Sequence, residues 1–139
     1  MAKFFAAESL FFRAGTLRVE VIELLDGKEG AGGVIGKPLE VQAASRVFKI
    51  TVPQVGHFEV RPEPMGKLSK QAEALHPFLY REGNTTFLEE HRWGAETLAS
   101  PRLPHGAPLV HFVIYTEQYV VDVLATGTPS VLEIPRNAA

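Results

Sequence analysis

Cysteine is absent from the 139-residue chain, which excludes disulfide staples, thiolate nucleophiles and cysteine-ligated zinc or iron-sulfur centres. No apolar run approaches the roughly 18 uninterrupted residues of a membrane-spanning helix, so no membrane partner is expected. The apolar N-terminus, MAKFFAAESLFF, is broken by Glu8 and lacks a following small-residue cleavage site, so it does not read as a signal peptide. Charge of one sign is also missing: 14 basic residues stand against 16 acidic ones, the net charge is -2, and the basic residues are scattered. Binding a phosphate backbone draws on clustered Lys and Arg, so no nucleic-acid partner is expected. Heptads, internal repeats and βαβ alternation are absent too, which excludes coiled coils, solenoids and doubly wound nucleotide-binding sheets. The expected setting is cytoplasmic, with a viral particle as the other setting considered.

What is present is ordinary globular composition, 45% hydrophobic and 22% charged, at a length that one core can serve. Residues 1–139 are therefore expected to form a single domain. Leu17, Val19 and Val21 alternate with Arg18 and Glu20, the period of a half-buried strand, and Asp26-Gly27 ends it. A glycine-rich stretch, DGKEGAGGVIGKP, follows as a loop. Phe48, Ile50 and Val52 mark a second strand stopped by Pro53, and His57, Glu59 and Arg61 alternate with Phe58 and Val60 in a third. The middle of the chain carries a helical insert near residues 67–98. There Ser69 caps a short helix bearing Leu68, Ala72 and Leu75; Pro77 to Gly83 forms a further turn; and Asn84 or Thr85 caps a helix with Phe87, His91, Ala95 and Leu98 on one stripe.

The last thirty residues are the clearest. LVHFVIYT from Leu109 and YVVDVLAT from Tyr119 read as central strands joined at Glu117-Gln118, and Val131 to Ile134 completes a three-stranded meander. Only the N-terminal twelve residues fit neither period, because Glu8 lands inside the stripe of Phe4, Phe5, Phe11 and Phe12. About seven strands with one helical insert imply a mainly β fold, an antiparallel sheet closed into a barrel or folded as a sandwich.

Chemistry is sparser. The loop ending in Gly36-Lys37 fails as a phosphate cradle, since a P-loop needs glycine where Ala31 stands, and Ser or Thr where Pro38 stands. On the third strand, His57 and Glu59 could place two metal ligands side by side, but the third ligand is not named by the sequence, and a solvated face is the simpler reading. Glu89 to Arg92 reads as an exposed helix turn, and Trp93 as core or interface. No metal or other cofactor is expected.

The notable pair is His111 with Asp122. A two-residue turn between Thr116 and Tyr119 sets Val113 opposite Asp122 and His111 opposite Leu124, making His111 and Asp122 diagonal neighbours on one face with Tyr115. A carboxylate beside an imidazole fixes its tautomer, as a general base requires, and Tyr115 could add a proton donor. No nucleophile stands beside them in sequence. The leading expectation is thus a non-catalytic β domain working through protein contacts, as part of a homo-oligomer or larger assembly, with the N-terminal phenylalanines as the contact. The alternative is a small β-barrel enzyme or ligand-binding protein using His111, Asp122 and Tyr115.

Overall fold

The computed structural model describes residues 4–27, 39–62, 71–99 and 108–135. In chain order they form β1 (Phe4–Arg13), β2 (Thr16–Asp26), β3 (Leu39–Glu40), β4 (Val47–Val52), β5 (Val55–Pro62), β6 (Glu73–His76), β7 (Leu79–Glu82), α1 (Thr86–Ala99), β8 (Val110–Tyr115), β9 (Tyr119–Ala125) and β10 (Ser130–Ile134). The protein is mostly β; among the described residues every strand pair is antiparallel and there is one short helix.

β1 and β2 make a hairpin closed by Ala14-Gly15, both at positive φ (51° and 78°). That is the geometry whose twist suits a two-residue hairpin. The register slips between Ala7 and Ser9, so Glu8 occupies a bulge. Before it, Phe5 lies opposite Glu23; after it, Leu10 and Phe12 lie opposite Val19 and Leu17. The inward-facing parity changes at Glu8, which is why neither period fits the unbroken stretch. The first sheet runs β1-β2-β4-β10 with β3 on β2, and the second runs β5-β9-β8-β7-β6.

The two sheets are sandwich-like. Phe5, Leu17, Val19, Val21, Ile50 and Val52 from one meet Val55, Leu79, Phe112, Ile114, Val121 and Val123 from the other in one buried cluster. Chain crossing between them at Pro53-Gln54 is pinned by Val55 N–H donating to the Gly15 carbonyl and Thr126 N–H to the Gln54 carbonyl.

Helix α1 covers the opposite face of the second sheet. Leu88 and Ala95 pack with Leu109 and Leu124, and half-buried Phe87 closes the cluster. Strand and helix meet closely at Gly56, where an added Cβ would stand 1.9 Å from the Ala95 carbonyl oxygen. No side chain other than hydrogen fits there, and a strand glycine at such an approach is the expected device.

Four expectations are corrected. The strands do not close into a barrel, because β1, β10, β5 and β6 remain ends of open sheets among the described residues. The third strand of the expected meander, β10, leaves β9 and pairs with β4 in the other sheet. Residues 73–82, expected as helix and turn, form the β6–β7 hairpin through Pro77-Phe78. Pro77 biases its predecessor toward extended backbone, and β6 is exposed throughout, so no apolar alternation announced it. The number of strands is consequently ten among the described residues, not seven. The proposed cap at Ser69 and the glycine-rich loop lie outside the described residues.

Candidate functional site

The expected register of β8 and β9 is observed: Val113 lies opposite Asp122 and His111 opposite Leu124. Even-numbered Phe112 and Ile114 enter the core between the sheets, so His111 points to the face under α1. There its Nε2 lies 2.8 Å from Asp122 Oδ1, and both side chains are buried, at 4% and 1% exposure for the two residues.

Two further residues complete a chain of hydrogen bonds. Asp122 Oδ2 accepts from Arg61 Nε at 2.6 Å, and Thr85 Oγ1 lies 2.7 Å from His111 Nδ1. Arg61 arrives because β5 pairs with β9, which brings Glu59 opposite Asp122. Thr85 arrives as the N-cap of α1: its hydroxyl oxygen accepts from Leu88 N–H at 3.1 Å.

Electrostatics orders this chain. Burial alone would push the Asp122 carboxyl up, but the hydrogen bonds from His111 and Arg61 and the guanidinium charge outweigh it and hold the carboxyl below its ordinary value. An ionised carboxylate only accepts, so His111 Nε2 carries the proton toward Asp122. In the neutral ring Nδ1 is then an acceptor for the Thr85 hydroxyl. The arrangement can draw a proton from that hydroxyl, or from a bound group taking its place.

Above the chain lies a cavity of about 550 Å³, within the size range of small-molecule sites. Its walls include Glu59, Arg61, Glu82, Thr85, Glu90, His111 and Asp122. Among the described lining residues, Glu59, Glu82, Glu90 and Asp122 are acidic and Arg61, paired with Asp122, is basic. Glu82 faces it because β7 sets it opposite His111.

Of the three residues expected in a pocket, His111 and Asp122 are brought together. Tyr115 shares their strand face but is not among the cavity-lining residues. Four positions beyond His111 on an extended strand is roughly 13 Å. Thr85 and Arg61 were visible as a cap and a strand residue, yet nothing in the sequence linked either to His111.

The face of His57, Glu59 and Arg61, expected to be solvated, is so in part: α1 packs against β5, yet the three side chains stay 32%, 44% and 38% exposed. His91 leaves the exposed turn expected for residues 89–92 and stacks on His57 at 4.1 Å between ring centroids. Trp93 is 84% exposed on α1 and so is not core.

Fold and site together define a mostly β protein with a cavity, lined among the described residues by four carboxylates and one guanidinium, between a sheet and its covering helix. Comparison of the chain with protein-family models, with curated proteins and with solved structures gives no match. Among the described residues no helix is long and apolar enough to cross a membrane.

Proposed function

We propose that this is a β-sandwich protein that binds a small polar ligand bearing hydrogen-bond donors or a positive charge, with the Thr85 hydroxyl held by His111 as the group that meets it. The observation supporting this reading is the cavity itself: among its described lining residues carboxylates outnumber cations, and its floor is a hydrogen-bonded polar chain centred on the buried His111 and Asp122. Compact amines and amidines fit that chemistry better than phosphates or carboxylates.

The test is a thermal-shift screen of small amines, amidines and matched anions, followed by calorimetry on any hit. A cationic hit should raise the melting temperature, because it binds the native state only. Glu90→Lys, which reverses an exposed charge at the cavity, should weaken it about tenfold or more, equivalent to about 1.4 kcal/mol. Anions stabilising as well as amines, or a hit insensitive to Glu90→Lys, would overturn the reading.

A second reading, contact between copies of this chain, is favoured by β1. Leu10, Phe11 and Phe12 are 39%, 54% and 44% exposed on an edge strand. Exposed apolar edges are ready templates for pairing. Sedimentation equilibrium should then show more than one copy for the unmodified chain and a single copy for Phe11→Lys. A single copy for both removes this reading.

A further inference from the structure

We infer that His57, Glu59 and His91 form a binding site for one divalent first-row transition ion, of the zinc class, joining β5 to α1. This does not rest on the ligand reading of the cavity. One nitrogen from each histidine and one oxygen of Glu59 lie within 4.8 Å of one another. His57 Nε2 is 3.2 Å and His91 Nε2 3.6 Å from the same oxygen, Glu59 Oε1. Ligands on a tetrahedral ion with bonds of 2.0–2.1 Å are separated by about 3.3–3.4 Å, so both distances are close to the required edge. The two rings are stacked, 17° apart in plane, so binding one ion turns one imidazole out of the stack to bring both lone pairs onto it.

A second observation orients one ligand. His91 Nδ1 lies 3.0 Å from the Phe87 carbonyl oxygen, one turn earlier on α1. A carbonyl only accepts, so Nδ1 carries a hydrogen and Nε2 is the nitrogen turned to Glu59 Oε1, the one able to bind an ion when it holds no proton. A backbone carbonyl behind a histidine is also the usual support of a metal-bound imidazole, fixing its tautomer and orientation. Phe87 adds a packing restraint, its ring lying 4.8 Å from that of His91 and 5.6 Å from that of His57.

Donor type selects the metal class. Two imidazoles and one carboxylate suit zinc and its neighbours, whereas magnesium and calcium prefer all-oxygen shells. Three protein ligands leave a coordination position for water, the pattern of reactive rather than closed sites. Glu59 also lines the cavity, so the ion would sit in its wall. The sequence showed the two strand ligands; only the fold supplied the third, because His91 comes from a helix seated on Gly56 of the same strand.

The experiment uses the untagged full chain, stripped with chelator, then titrated with Co(II) and Zn(II). One equivalent of Co(II) should produce the intense visible bands of a four-coordinate ion, and Zn(II) should displace it. Zn(II) should raise the melting temperature, since the ligands tie two elements together. His91→Ala and His57→Ala should each weaken binding by about a hundredfold or more. Both histidines are half-buried, and folding of each variant is checked by its circular dichroism before titration. His76→Ala, on exposed β6, should bind as the unmodified chain does. Absence of a one-equivalent complex, or retention of full affinity in folded His91→Ala, would overturn the assignment.

Discussion

Strands β8 and β9 are buried on both faces, one wholly apolar and the other mixed, with a polar pair set among apolar residues. One presents Phe112, Ile114, Val121 and Val123 to the core between the sheets. The other presents His111, Val113, Asp122 and Leu124 to α1 and the cavity. Dry apolar contact stabilises the first without needing partners. The second buries an ionised carboxylate, which carries a desolvation cost that only well-placed hydrogen bonds offset. Those bonds are present: among the described residues no buried side-chain polar atom lacks a partner. Well-packed apolar replacements for such a group are often neutral or stabilising. On these two strands the polar chain lies on the face that carries the cavity, as the ligand reading requires.

The largest effect should come from the apolar face. Ile114 is fully buried, and Ile114→Ala removes three carbons where little collapse is possible. A loss of about 3–4 kcal/mol is expected in urea denaturation. Cobalt binding by the fraction still folded should be unchanged. A smaller loss than for the polar variants would dissolve the distinction between the faces.

Asp122→Asn should cost about 2–3 kcal/mol at neutral pH, since Arg61 and His111 each lose a charged partner. The pH dependence fixes the cause. The folded-state carboxyl lies below its ordinary value of 3.8, so its contribution is complete above that value and is lost as pH falls through the folded value. Denaturation at successively lower pH should therefore show the two proteins converging below about pH 4. A gap that stays constant into acid would assign the cost to packing instead of charge.

How far these faces were legible depends on what sets each contact. The β8–β9 register followed from the two-residue connection and the period of the strands, so the His111 and Asp122 pairing was readable without coordinates. Parity, however, gives a face and not a distance, which is why Tyr115 shares the face but not the cavity. Arg61 reaches Asp122 across 61 positions of sequence through the β5–β9 pairing, and β5 carries no local sign of that neighbour. Strand β6 was missed because an exposed edge has no alternation, and β1 because the bulge at Glu8 shifts its period midway. The N-cap was readable; what a capping hydroxyl touches on its other side was not.

Thr85 separates these roles at the smallest scale. Its oxygen accepts from Leu88 N–H and lies against His111 Nδ1, so one atom serves helix and site together. Loss of the cap alone in Thr85→Ala should cost about 1 kcal/mol, with Thr85→Ser recovering nearly all of it, because serine caps as well as threonine. If the hydroxyl does no more than cap, Thr85→Asp should also recover the stability, since aspartate is an equally good cap. An aspartate carboxylate, however, has no hydrogen to give to His111 Nδ1, and it places a second negative charge near Asp122. The site role therefore predicts that Thr85→Asp remains destabilised and moves the His111 ring nitrogen resonances, whereas Thr85→Ser moves them little. Full recovery by aspartate with unchanged resonances would leave Thr85 a cap and remove it from the polar chain.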